Sequence, residues 1–369
     1  MQYRIHKKTG DRISEIGFGS AYIPEVNEKT GMEALSAAYE GGINYFDMAA
    51  ADSRCFPYYG KAFSTVRDSI FYQIHFGACY DSGTYGWSTD LDTVKRNVER
   101  TMSDLKTDYI DYGFIHCLDE ISDWDEYKRS GTLEYLMKMK ELGVVKHLGL
   151  SSHTPVLINR VLDEVPVDMV MFSVNPAYDY HQGDYANGSI DERSKVHRRC
   201  ESEEIGITVM KLFSGGQLLD AKLSPFGKAL TTYQCIKYAL DRPGVISVLP
   251  GMATKEQVED LLRYYEASDE EKDYSLIGSF SPADAVGKCV YCNHCQPCPQ
   301  EIDIGLVNKY YDLAKIGDDM ALQHYKELNH HADECIACGH CNDRCPFSVD
   351  QMKRMKEMAE YFKLDVQKL

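Results

Sequence analysis

Tyr109-Ile110-Asp111-Tyr112-Gly113-Phe114-Ile115-His116-Cys117 is apolar almost without interruption and ends on an imidazole and a thiol. A strand covered on both faces needs such a run, and parallel sheets flanked by helices bury their strands this way. Seven more runs of this kind occupy residues 16–22, 44–48, 69–77, 144–152, 169–175, 206–213 and 245–251. Amphipathic helical patterns alternate with them, at 29–39, 91–105, 132–142, 155–163, 194–204, 227–240 and 254–266. Gly41-Gly42 stops the first of these and Thr89-Asp90 opens the second, as helix ends require. Eight strand–helix units in about 265 residues predict an α/β chain built on a TIM (β/α)8 barrel. Residues 3–13, centred on Lys8-Thr9-Gly10-Asp11, read as a hairpin closing the barrel's bottom.

The chain has 369 residues, 44% of them hydrophobic, enough for one large domain and a small one. Its formal charge of −17 disfavours nucleic acid and anionic membrane as partners. No apolar run reaches the length of a membrane span, and Met-Gln-Tyr-Arg-Ile-His-Lys-Lys lacks a signal-peptide core. The expectation is a cytoplasmic protein. Thirteen cysteines in such a compartment mean metal before disulfide. Cys55, Cys79, Cys117, Cys200 and Cys235 are scattered and read as buried or incidental.

The other eight cysteines fall in two runs. Cys289, Cys292, Cys295 and Cys298 precede Pro299, and Cys335, Cys338, Cys341 and Cys345 precede Pro346. Three thiols at i, i+3 and i+6 reach three corners of one cubane, and the fourth ligates the other cluster, as in two-cluster bacterial ferredoxins. The first run is one residue shorter than usual before its last cysteine. Zinc sites use separated cysteine pairs instead. Two [4Fe–4S] clusters are therefore expected, one on Cys289, Cys292, Cys295 and Cys345, the other on Cys335, Cys338, Cys341 and Cys298. Residues 1–278 form the expected barrel, and 279–369 a mostly helical ferredoxin-like domain. That domain carries a helical insert at 306–329 and a helical tail at 350–369. Met352, Met355 and Met358 in the tail read as a packing stripe. Such clusters suit an anaerobic host and single-electron transfer.

A TIM barrel does its chemistry at the C-terminal ends of its strands. Asp47, His75, His116, Ser151, Ser152, His153, Asn175, Lys211 and Gly251 fall there. The stretches Gly-Gly-Ile-Asn-Tyr-Phe46-Asp47, Thr107 to His116, Leu148 to His153, Val209 to Gly216 and Leu249 to Val258 resemble the aldo/keto reductases. With the cysteine tail, the chain is similar to the subfamily fused to a 4Fe–4S ferredoxin-type domain.

The resemblance implies NAD(P)H-dependent carbonyl reduction by an Asp, Tyr, Lys and His tetrad. Asp47 and His116 match two members. The tyrosine position holds Asp52 and the lysine position His75. The expected catalytic set is thus Asp47, Asp52, His75 and His116, with an Asp47–Asp52 pair able to share a proton. Ser151 and Asn175 match nicotinamide contacts, and Ser152 stands where an asparagine is usual. Lys211 closes the seventh strand. Gly215, Gly216, Gly251, Thr254, Lys255 and Gln257 match the pyrophosphate and adenosine side. A flavin is the alternative cofactor, although no flavin-specific motif is visible. It would convert two-electron hydride chemistry into the one-electron steps of a cluster.

Three functions follow. The first is an oxidoreductase acting on a small organic substrate, sugar-like or aromatic, its clusters serving a ferredoxin- or flavodoxin-type carrier. The second is a non-redox lyase, dehydratase or isomerase with structural or regulatory clusters. The third is a non-enzymatic electron-transfer protein, which the polar groups at the strand ends argue against. The loops 80–90 and 179–193 carry Tyr80, Tyr85, Trp87, Tyr178, Tyr180 and Tyr185, which line a pocket or pack the loops.

Overall fold

The computed structural model describes residues 1–179, 185–274, 277, 287, 289, 295–315, 322, 325–345 and 347–366. Strands β1 (Tyr3–Ile5) and β2 (Arg12–Ser14) pair antiparallel as the expected hairpin. Its turn residues Thr9 and Asp11 bond the Tyr112 hydroxyl. His6 meets Asp168 O, and Lys8 donates to Val167 O. The ribbon therefore lies across the N-terminal mouth of the barrel.

The remaining strands in chain order are β3 (Phe18–Gly19), β4 (Tyr45–Asp47), β5 (Phe71–Phe76), β6 (Ala78–Cys79), β7 (Gly86–Trp87) and β8 (Ile110–Ile115). They continue with β9 (Val145–Ser152), β10 (Met169–Ser173), β11 (Gly206–Met210) and β12 (Val245–Val248). Eight of them form one parallel sheet ordered β12-β11-β10-β9-β8-β5-β4-β3. Parallel bridges Ile16–Val248 and Gly19–Gly251 join its ends and close the barrel. A Cβ on Gly19 would stand 2.8 Å from Leu249 O, so this seam requires glycine. All eight expected strands are present, though shorter. Residues 20–25 leave the first as a 3₁₀ turn containing Pro24. Lys211, at φ +60, ends the seventh.

Tyr45, Tyr112, Phe114, Met169, Met171, Ile246 and Leu249 fill the barrel interior. The larger apolar layer lies between sheet and helices, around Trp124, Tyr127, Leu157 and Ile158. Asn27, Asp90, Ser189, Thr231 and Thr254 cap helices at Glu28–Glu40, Leu91–Asp104, Ile190–Ser202, Thr232–Leu240 and Lys255–Leu262. The expected helices are found at Thr132–Glu141 and Pro155–Glu164 too. The stretch Tyr59-Gly60-Lys61-Ala62, which reads as a helix start, is the end of helix Phe56–Ala62; helix Ile121–Arg129 and the β6–β7 ribbon were not expected.

In the tail, helices Ile304–Lys315 and Gln351–Val366 pack through Val307, Tyr311, Met355, Met358 and Phe362. Met355 and Met358 are buried, as a packing stripe should be. Phe347 and Val349 continue the barrel's outer apolar layer. The expected domain boundary at 278/279 lies outside the described residues. Among those described, no helix is long and apolar enough to cross a membrane.

Candidate active site and cluster ligands

Strands β4, β5 and β8 neighbour one another and point alternate side chains inward, which aligns Asp47, His75 and His116 at one end of the barrel. Asp47 Oδ1 lies 2.7 Å from His75 Nε2. His75 Nδ1 lies 2.9 Å from His116 Nδ1. His116 Nε2 lies 2.7 Å from the Tyr85 hydroxyl. Gly77, at φ +143, allows this approach, since a Cβ there would sit 3.0 Å from His116 Cβ.

Gln73 sets the protons at the inner end. Its Oε1 accepts from the hydroxyls of Tyr45 (2.8 Å) and Thr208 (3.4 Å), so its Nε2 must donate, and it does so to Asp47 Oδ1 at 3.0 Å. Burial pushes the Tyr45 phenol up, which keeps it a donor. Gln73 Nε2 also stands 3.1 Å from His75 Nε2; with His75 protonated at that nitrogen, Asp47 Oδ1 accepts its N–H at 2.7 Å. His75 Nδ1 is left as a lone pair and accepts from His116 Nδ1–H. The His116 Nε2 lone pair accepts from Tyr85 O–H. Each imidazole carries one proton in this arrangement. Burial, and then the neighbouring His75 and His153, hold His116 well below the usual imidazole range, in keeping with that count.

Asp52 does not join this set. Its carboxylate caps the short turn Ser53–Cys55, accepting from Arg54 N at 2.8 Å and pairing with Arg54 Nε at 2.9 Å. The Arg54 backbone N–H is the main cause that lowers its pKa. No shared-proton pair with Asp47 forms. The backbone there has another task. Ser53 N donates to Gly83 O and Tyr85 N to Ala51 O, both at 2.9 Å, and Asp52 bridges Thr84.

At the end of β9, Asp119 accepts from Ser152 Oγ (3.1 Å), His153 N (2.7 Å) and Thr154 Oγ1 (3.4 Å), and pairs with His153 Nδ1 at 2.8 Å. Burial pushes its carboxyl up, yet the hydrogen bonds from His153 and Ser152 prevail and hold it below the usual range. Ser151 is buried beside this group. His153 Nε2 is buried without a hydrogen-bond partner, under the Tyr185 ring at 4.5 Å. Asn175 is committed to Lys211 O at 2.8 Å and Tyr178 N at 3.1 Å. Lys211 Nζ stands 4.0 Å from the Tyr185 ring centroid. Gly215 and Gly216 have φ of +65 and +88, with open space where a Cβ would be. Gly251 lies against the Tyr22 ring, where a Cβ would stand 2.5 Å away. Thr254 and Gln257 form a capping box on helix Lys255–Leu262, and Lys255 reaches Glu259 at 3.5 Å. An orphaned buried nitrogen, open space over Gly215 and Gly216 and a helix start at Lys255 suit a nicotinamide dinucleotide.

The sequence offered Tyr85 as a pocket-lining or loop-packing ring but not as a partner of His116, and gave no sign of Gln73 or Asp119. Asp81-Ser82-Gly83 between Ala78-Cys79 and Gly86-Trp87 is the hairpin signal that would have placed Tyr85.

Cys295, Cys298, Cys335, Cys338 and Cys341 line one cavity in the tail, with Ile302, Ile304 and Met355. Four of these are the set expected for the second cluster. Ala337 N lies 3.4 Å from Cys335 Sγ, Val349 N 3.4 Å from Cys345 Sγ, and Gln351 Nε2 3.6 Å from Cys289 Sγ. N–H donors aimed at sulfur are how a protein stabilises cluster thiolates. Cys292 lies outside the described residues. Cys55, Cys79, Cys200 and Cys235 are buried, as expected, with thiols pushed up to about 11 or 12 by burial.

Comparison with known proteins agrees with this architecture. The profile of the aldo/keto reductase family matches residues 15–230, and that of a 4Fe-4S dicluster domain matches 285–349. The oxidoreductase YqkF of Bacillus subtilis is 27% identical over 67% of this chain and 86% of its own. L-galactose dehydrogenase of Arabidopsis thaliana is 24% identical over 70% of this chain and 86% of its own. The aldo-keto reductase AKR11C1 of Bacillus halodurans, in its holo form, superposes with a TM-score of 0.62 at 21% identity, covering 77% of this chain and 97% of its own. With more than half its length matched by that profile, the chain belongs to the aldo/keto reductase family and carries a C-terminal 4Fe-4S dicluster domain.

Proposed function

We propose that the barrel interconverts a carbonyl and a hydroxyl on a small organic molecule, with Asp47, His75 and His116 as its proton-transfer groups. The observation that carries this reading is the unbroken contact from Asp47 through His75 to His116 at the strand ends. NAD(P)H, when bound, supplies the hydride. Ser151 and His153 Nε2 would meet its carboxamide, while Ser152 and Asn175 brace the wall and Lys211 closes it. Gly215, Gly216, Gly251, Thr254 and Lys255 would take the pyrophosphate and adenosine, with Gln257 fixing the helix start.

The aromatic rings of Tyr85, Trp87 and Tyr185 are partly exposed, and flat apolar faces suit a sugar or an aromatic ring. Likeness to L-galactose dehydrogenase supports a polyhydroxylated substrate.

The tail would hold two [4Fe–4S] clusters and pass electrons to or from a ferredoxin- or flavodoxin-type carrier. A hydride brings two electrons and a cluster takes one. A flavin, or another converter, must stand between the barrel and the clusters if they communicate. A non-redox lyase, dehydratase or isomerase could use the same carboxylate and imidazoles, and the loss of the lysine and of the tyrosine at 52 favours that second reading.

Anaerobic protein, NADPH and a panel of small aldehydes and aldoses separate the two. Oxidation of NADPH that depends on the aldehyde supports the oxidoreductase. Failure of calorimetry to detect any NADPH or NADP⁺ binding would overturn the nicotinamide reading.

A further inference from the structure

We propose that Tyr85 is the catalytic residue that exchanges a proton with the substrate oxygen, at the outer end of a relay Asp47–His75–His116–Tyr85. This rests on the carbonyl–hydroxyl reading above. Asp47, His75 and His116 are 4%, 3% and 4% exposed, whereas Tyr85 is 43% exposed. Of the four linked groups, Tyr85 alone has substantial exposure, and its hydroxyl ends the chain at His116 Nε2.

The chain builds this position deliberately. Residue 52, where the resemblance places a tyrosine, is an aspartate facing Arg54. The backbone on either side of it pairs with residues 83–85. That pairing sets a phenol from the neighbouring ribbon beside His116. Two residues further along the same segment, the Trp87 indole donates to His116 O at 3.2 Å. Tyr85 is therefore fixed from both sides and does not sit on a free loop.

The proton count closes. In the base form, Asp47 is ionised, and His75 Nε2, His116 Nδ1 and Tyr85 carry one proton each. A substrate hydroxyl gives its proton to Tyr85, and a nicotinamide, when bound, would accept the hydride from its carbon. Tyr85 passes its own proton to His116 Nε2, His116 Nδ1 passes one to His75 Nδ1, and His75 Nε2 passes one to Asp47. The C–H and O–H bonds of the substrate break and a C=O bond forms. Carbonyl reduction runs the same transfers backward and discharges the proton of Asp47. No cation stands where the lysine would be, and burial pushes the Tyr85 phenol above its ordinary value. It thus works as a neutral phenol in series with imidazoles and not as a phenolate made by an adjacent lysine.

Tyr85→Phe removes one oxygen and keeps the ring. Turnover is measured anaerobically with NADPH and 4-nitrobenzaldehyde, and with NADP⁺ and L-galactose. We expect kcat to fall roughly 10²–10⁴-fold, the size of a general acid–base contribution. The KM for the nicotinamide should stay within about threefold, because Tyr85 acts in the transition state and not in cofactor binding. A variant with kcat within about threefold of the wild type overturns the proposal. A wild type that turns over neither probe counts against the carbonyl–hydroxyl reading. The relay is then judged by proton NMR of the oxidised protein. A low-field hydroxyl resonance present in the wild type and absent from Tyr85→Phe supports the relay, and its absence from the wild type overturns it.

Discussion

The Nδ1 atoms of His75 and His116 stand 2.9 Å apart, their rings nearly perpendicular at 77°. Two imidazoles meet this way only when one brings a proton and the other a lone pair. Protonating both would set two N–H groups head to head inside the barrel. Where the resemblance places a lysine, an imidazole stands whose other nitrogen reaches Asp47 at 2.7 Å. In the proposed relay, a chain of transfers stands in for the lysine's charge.

Acid should therefore destabilise the protein. His116 is held well below the usual imidazole range by burial, and burial pushes His197 down to about 4. In the unfolded chain both take protons near 6.5, and the folded chain refuses them. Their contribution is complete above the unfolded value and is lost as pH falls from about 6.5 toward 4, up to ~3 kcal/mol for His197. Thermal melts followed by circular dichroism should show Tm falling across that window. The fall should be shallower in His197→Gln, which keeps a donor for Pro243 O.

Gly77 is where geometry and site meet. Its φ of +143 and the 3.0 Å approach of His116 leave no room for a side chain. Gly77→Ala should cost about 1–3 kcal/mol in denaturant titrations. Turnover should fall more than the loss of folded protein explains, because the His75–His116 contact opens.

Iron content tests the crossed pairing of the two cysteine runs. Anaerobically reconstituted wild type should hold about eight irons per chain, as two [4Fe–4S] clusters require. Cys298→Ala should lose the cluster held by Cys335, Cys338 and Cys341, and Cys345→Ala the one held by Cys289, Cys292 and Cys295. Each variant should retain about four irons by colorimetric assay. Loss of all iron from either variant would contradict independent clusters.

The barrel was legible because its strands are buried on both faces and leave continuous apolar runs such as Ile110–Ile115. The meeting of Asp47, His75 and His116 was legible because each ends a neighbouring strand of the barrel. Asp52 was misleading because sequence position alone cannot say whether a loop carboxylate turns inward or caps its own turn. The placing of Tyr85 beside His116 was not legible because it depends on residues 83–85 pairing with 51–53 across about thirty residues of chain, and short two-residue strands leave almost no periodicity to read. Ser152 and Asn175 looked like cofactor contacts, yet their hydrogen bonds go to Asp119 and to the backbone at 178 and 211.

The central claim is that Asp47 and His75 carry protons and do not merely support the wall. Asp47→Asn and His75→Gln keep the size of each group and can hold the same hydrogen bonds, but neither amide accepts a proton. Anaerobic stopped-flow measurement of nicotinamide turnover with the aldehyde panel decides it. The account predicts a fall of roughly 10²–10⁴-fold in kcat for each variant, with nicotinamide affinity unchanged. Full turnover in either variant, with the protein folded and its clusters loaded, would contradict it.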